Sequence, residues 1–141
     1  SELAYERSGP ERFLSSFRVF VELVRICGDN PSPHQAAAIG RIASHFMTLR
    51  RMSLSVAGML EAGKDVSVEA ALVKELGNNF EKLLPEIARL VVPDLSAVDP
   101  DKQRLFRETF EETLMLSPSF TLRGGTREIM RGVIARGLGL R

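Results

Sequence analysis

The residues best suited to chemistry lie near the end of the chain, where Arg123-Gly124-Gly125-Thr126-Arg127-Glu128 opens an amphipathic run. Paired glycines let a backbone turn tightly and approach a ligand closely. Thr126 is a good helix N-cap, and Glu128 suits the positive end of a helix. Free N–H groups at a helix start bind phosphate, and Arg123 and Arg127 flank the turn where they can reinforce it. The chemistry on offer is anion binding, although a plain helix start explains the same residues. Other reactive side chains are sparse. Cys27 continues an apolar helical stripe and reads as core packing. His34 and His45 stand alone, without a Cys or acidic cluster, and give no metal site. Arg50, Arg51 and Lys74 form either a basic patch or solvated helix faces. Met47, Met52 and Met59 read as helical packing.

Helices must position these residues. Between Glu11 and Cys27 the apolar set Phe13, Phe17, Phe20, Val24 and Cys27 recurs at spacings of three and four, which predicts a first helix. Gly28 to Pro33 breaks it. A second helix is expected from about Pro33 to Glu61, with Ile39, Ile42, Phe46, Leu49, Val56 and Leu60 inward. Ser67 is the expected cap of a third, whose stripe is Leu72, Leu76, Phe80, Leu83, Ile87 and Leu90. Pro85 lies inside that stripe and is expected to kink or split the helix near Asn79 to Leu84. A fourth helix runs from about Pro100 to Leu116 on Leu105, Phe106, Phe110 and Leu114, until Ser117-Pro118 ends it. A short last helix spans roughly Thr126 to Arg136, with Ile129, Val133 and Ile134 inward. Val91-Val92 and Phe120-Thr121-Leu122 are too short to build a sheet. The expected fold class is all-α: an up-and-down four-helix bundle with a short fifth C-terminal helix, forming one domain over residues 1–141.

Bulk properties narrow the function classes. With 141 residues and 44% apolar content, the chain can bury one real core. Its net charge of +1, from 19 basic and 18 acidic residues, gives no electrostatic case for nucleic acid or an anionic membrane. No apolar run of about 18 residues is present to span a membrane. The start lacks the pattern of a signal peptide. It also lacks an initiator Met, so either the chain is an excised piece or Ser1 is a vector remnant. One cysteine cannot form an internal disulfide, which suits a reducing compartment, and a cytoplasmic location is expected.

The tail as a whole is rarer than its parts. Gly124-Gly125-Thr126-x-Glu128-Ile129-x-Arg131, then Ile134-Ala135-Arg136 and Leu138-Gly139-Leu140, resembles the C-terminal signature of acyl-CoA dehydrogenases. Two further segments fit in order and spacing. Leu3-Ala4-Tyr5-Glu6-Arg7 resembles the Glu-Arg motif that starts the first helix of the family's C-terminal domain. Ser67-Val68-Glu69-Ala70-Ala71-Leu72-Val73-Lys74 resembles a Glu-Ala segment ending in Lys on its third helix. The resemblance implies that this chain is that C-terminal helical bundle, without the N-terminal helical and middle β-domains. It also implies FAD as cofactor, an acyl-CoA as substrate, an electron-transfer flavoprotein-type acceptor, and a homo-oligomer, dimer or tetramer. The family oxidises an acyl-CoA thioester to its 2,3-enoyl form: a carboxylate removes the α-proton and the β-hydrogen leaves as hydride to the flavin. The isolated domain is expected to be inactive.

The resemblance also locates a base. Many members place a catalytic Glu directly before the Gly-Thr of the tail, where this chain has Gly124. Another branch, including isovaleryl- and long-chain-type enzymes, uses the Glu of the Glu-Arg motif, which here is Glu6, and the two positions approach each other in that fold. Glu6 is therefore the implied catalytic residue. Gly124, Gly125, Thr126 and Glu128 are the implied cofactor-binding residues, Thr126 and the Gly125 backbone foremost. The chain departs from the family elsewhere. Many members carry an Arg followed by Phe-Gly on the second helix and a Gln-x-x-Gly-Gly segment late in the bundle. Both reach the FAD of a neighbouring subunit. Here Pro33-His34-Gln35 and Asp101-Lys102-Gln103-Arg104 stand in those regions. Two alternatives stay open: a non-catalytic subunit of a heteromeric dehydrogenase, and a helical interaction module without flavin.

Overall fold

Two prolines and their neighbours set helix starts. Pro33 and Pro100 each sit in a first helical turn, where a missing N–H is no loss. Ser32 caps the first of these in a capping box, its Oγ accepting from the Gln35 N–H while the Gln35 side chain accepts from the Ser32 N–H. The Asp99 carboxylate caps the second by accepting from the N–H groups of Asp101 and Lys102. In the computed structural model, which describes residues 2–140, the chain forms six α-helices: α1 (Glu2–Ser8), α2 (Phe17–Cys27), α3 (Pro33–Glu61), α4 (Ser67–Val91), α5 (Pro100–Leu116) and α6 (Arg127–Gly137). Short 3₁₀ turns cover Pro10–Arg12, Leu95–Ala97 and Ser117–Leu122, and no strand occurs among the described residues. Ser1 and Arg141 lie outside them. The fold is all-α.

Several local expectations need correction. The first helix is not continuous from Glu11. Pro10 starts a tight 3₁₀ turn, and the chain re-enters helix only at Phe17, so α1 is a separate sixth helix. Pro85 does not split α4, which runs unbroken from Ser67 to Val91 with the proline ring fully buried. Ser67 is the first residue of α4 rather than its cap. Asp65 accepts from the Ser67 N–H and hydroxyl instead. Ser117-Pro118 ends α5 but passes into a 3₁₀ turn, not an open break.

Helix α4 is the axis of the molecule and touches every other helix. Helix α2 lies against α5, and α3 against α4. The larger core joins Val19, Leu23 and Ile26 of α2 to Ile42, Phe46 and Leu49 of α3 and to Phe80, Leu84 and Ala88 of α4. At its centre Phe46 meets Phe80 edge-on, with ring centroids 4.7 Å apart. His45 stacks on the same Phe80 ring. A second cluster of Ala4, Val56, Val66, Ala70 and Val73 fastens α1 to α3 and α4. The expected stripe of α3 is inward at Ile42, Phe46, Leu49 and Val56. That of α4 holds only in part: Phe80 is buried in the core and Ile87 packs against it, but Leu76, Leu83 and Leu90 are exposed, and the buried face carries Ala70, Lys74, Asn78, Glu81 and Leu84. In α2, Phe17 and Val24 likewise face out while Val19, Leu23 and Ile26 face in. In α6 the buried residue is Met130, with Ile129 exposed.

Candidate functional site

The turn at Gly124-Gly125 has the backbone its residue types allow. Gly124 lies at φ +67° and Gly125 at φ +105°, conformations that L side chains rarely adopt. The turn delivers Thr126 to the N-cap position of α6, with φ −71° and ψ 166°. The Thr126 side chain makes no capping bond to the helix backbone. It turns to Glu128: that residue's own N–H, then the Thr126 hydroxyl, holds the Glu128 carboxyl below its ordinary value. Glu128 is exposed.

The two ends of the chain meet here. The Glu6 carboxylate oxygen Oε1 lies 3.4 Å from the point a Cβ on Gly124 would occupy. Arg7, next in α1, donates from Nε to the Gly124 carbonyl at 3.1 Å, and its Nη2 reaches the side of Gly125. Of the five residues singled out, Glu6, Gly124, Gly125 and Thr126 thus belong to one neighbourhood, and Glu128 is joined to it through Thr126. The α1–α4 and α4–α6 contacts create it, with the buried face of α4 beside the turn.

That face holds what sequence reasoning missed. Lys74 is fully buried, with its Cε 3.2 Å from the same Cβ point on Gly124, so it belongs to no surface patch with Arg50 and Arg51. With the Asn78 amide oriented to satisfy both ends, Lys74 Nζ donates to Asn78 Oδ1 at 2.8 Å, and Asn78 Nδ2 donates to the Phe120 carbonyl at 3.1 Å. Burial, and then the Arg12 guanidinium, lower the Lys74 ammonium to about 8. One turn further, the fully buried Glu81 accepts from the Ser15 N–H at 2.9 Å and from Arg123 Nη2 at 3.1 Å. Burial outweighs these partners and raises its carboxyl. Glu75 accepts from Arg127 and Arg131. Burial pushes its carboxyl up, but these hydrogen bonds win and hold it below its ordinary value. Lys74, Asn78 and Glu81 follow each other at spacings of four and three. That periodicity is the signal the sequence offered; bulky Leu76, Leu83 and Leu90 on the opposite face obscured it.

The result is a turn surrounded by basic groups. Arg7, Arg12, Lys74 and Arg123 approach from α1, the Pro10–Arg12 turn, α4 and the approach to α6, against the acids Glu6, Glu75 and Glu81. Arg12 is buried, and its Nε and Nη1 have no hydrogen-bond partner among the described residues. Glu6 is exposed, so the site is an open face of this chain. An apolar cleft of about 380 Å³ between α3 and α4, lined in part by Met52, Val56, Met59 and Leu72, touches none of these residues. The arrangement can present a carboxylate beside a side-chain-free turn, and backbone donors at the start of α6 to an anionic ligand. No protein-family model, curated protein or solved structure matches the chain.

Proposed function

We propose that the chain is the C-terminal helical domain of a FAD-dependent acyl-CoA dehydrogenase, with Glu6 as the base. In this reading α2 to α5 are the four-helix bundle and α6 is the short terminal helix. The observation that carries it is the approach of Glu6 to Gly124. The resemblance offers two places for the base, at opposite ends of the sequence, and requires them to be neighbours. The chain has a carboxylate at one and, at the other, a glycine whose missing side chain leaves that carboxylate room.

The flavin supplies the hydride acceptor. The residues present fit such a group at the level of chemistry: the Gly124-Gly125 backbone presents no side chain to it, the start of α6 has no side-chain cap from Thr126, although its Glu128 N–H is engaged by the Glu128 carboxylate, and Arg7 and Arg127 add positive charge. Glu6 takes up the α-proton at its carboxylate, and Arg7, anchored to the Gly124 carbonyl, keeps α1 and the turn in one register. A base works best in a site closed to water, so the upstream domains of the parent protein must cover the exposed Glu6 face. The acceptor of the second half-reaction is an electron-transfer flavoprotein-type partner, and the parent is a cytoplasmic homo-oligomer. The full-length parent is expected to be yellow, and a suitable acyl-CoA should bleach it. Glu6→Gln should lower that reduction by at least about a hundredfold.

A second reading is favoured by one observation. The regions where the family reaches a neighbouring FAD hold Pro33-His34-Gln35 and Asp101-Lys102-Gln103-Arg104 instead, and Gln35 and Gln103 are committed to the carbonyls of Val91 and Leu95. A non-catalytic subunit of a heteromeric enzyme has this character. In that case activity appears only with a partner chain, and Glu6→Gln leaves it unchanged.

A further inference from the structure

We propose that Lys74 is the positioning residue of the Glu6–Gly124 neighbourhood: its stem is the floor on which the turn rests, and its ammonium, through Asn78, fixes the seat of the Ser117–Leu122 segment that leads into the turn. The functional meaning rests on Glu6 being the reacting group; the positioning itself rests on geometry alone. Three observations carry it. The Lys74 Cε is the atom nearest to where a Cβ on Gly124 would stand, nearer than Glu6 itself. The Lys74 side chain is wholly buried although it is charged, a placement that burial penalises unless a partner compensates. The compensating contact leads on to the tail, since Asn78 relays it to the Phe120 carbonyl. A single buried side chain thereby lies beside the turn, where a Gly124 side chain would stand, and holds the segment before it.

The groups facing Lys74 come from each neighbouring element: Arg7 and Glu6 from α1, Arg12 from the Pro10–Arg12 turn, Arg123 from the approach to α6, and Glu75 and Asn78 from α4 itself. Three of them are cations, and the ammonium has Asn78 as its hydrogen-bond acceptor. When the proton leaves, Nζ loses donor capacity and the repulsion from Arg12, Arg7 and Arg123 falls. The seat of the turn should therefore respond to the protonation of Lys74.

The test is nuclear magnetic resonance on the chain itself, following the amide signals of Gly124 and Gly125 and the ¹³Cε signal of Lys74 from pH 6.5 upward. The expected result is that both glycine amides move with a midpoint near 8, shared with Lys74 Cε. Lys74→Met keeps a long apolar stem as floor and removes the proton. It should abolish that titration, while Lys82→Met, a loss of charge at an exposed site on the same helix, should leave it in place. Glycine amides that stay still while Lys74 Cε titrates, or that titrate unchanged in Lys74→Met, overturn the inference. If Lys74→Met fails to fold by circular dichroism, the wild-type titration decides alone. No flavin or substrate enters this experiment, so its failure and the failure of the dehydrogenase reading are separate outcomes.

Discussion

At the scale of the residue, a buried ammonium and a strained-unless-glycine turn give the sharpest expectations. Lys74 is lowered to about 8 from an ordinary value near 10.5. Between those values the unfolded chain holds a proton at Lys74 that the folded chain has released, so this residue makes stability rise with pH across that window and makes folding less favourable below it. Thermal unfolding at pH 7.5 and pH 10 should show a larger gain in Tm for the wild type than for Lys74→Met; equal gains would contradict the burial argument. Gly124→Ala places a Cβ at φ +67° against Lys74 and Glu6. It should lower stability by about 1–2 kcal/mol, read by urea unfolding, whereas an alanine tolerated without loss would mean that the turn is easily rebuilt.

At the scale of the element, α4 explains both what was legible and what was not. The helices themselves were readable from spacing: α3 matched its predicted span and inward face, because Ile42, Phe46, Leu49 and Val56 carry an unambiguous period and Ser32-Pro33 mark its start. The site turn was readable for a similar reason, since few residues besides glycine accept the backbone that Gly124 and Gly125 adopt. The buried face of α4 was not. Hydrophobicity assigns Leu76, Leu83 and Leu90 to the core and Lys74, Asn78 and Glu81 to water, and tertiary partners on three other segments reverse that assignment. The split between α1 and α2 was hidden because Phe13 and Phe17 fall in helical spacing across a turn that is not helical. Close approach explains one small residue of α4. A Cβ on Gly77 would collide with the Arg12 carbonyl, so Gly77→Ala must push the Pro10–Arg12 turn away from α4. Overpacking of this kind costs about 1–3 kcal/mol, and it should also shift the Ser15 amide, which donates to Glu81. An unchanged unfolding midpoint would show that the turn yields freely.

At the scale of the whole molecule, the chain exposes more apolar side chain than its core requires. Leu76, Leu83 and Leu90 lie a heptad apart on the outer face of α4, Met47 and Leu54 face out from α3, and Met115 is 82% exposed at the end of α5. The heptad row on α4 is the kind of exposed apolar surface that other chains or domains can cover. Light scattering over a concentration series should show self-association, and Leu83→Glu with Leu90→Glu should weaken it; a monomer at every concentration would remove the proposed oligomer. The dehydrogenase reading also assigns this surface and the open Glu6 face to other domains and subunits, which joins the two observations in one expectation. The role of Glu6 as base is tested by anaerobic flavin reduction in the full-length parent mixed with an acyl-CoA, comparing wild type with Glu6→Gln at equal flavin content. The wild type should bleach, and the variant should lose at least about a hundredfold in rate. Bleaching at an undiminished rate in Glu6→Gln would contradict that role.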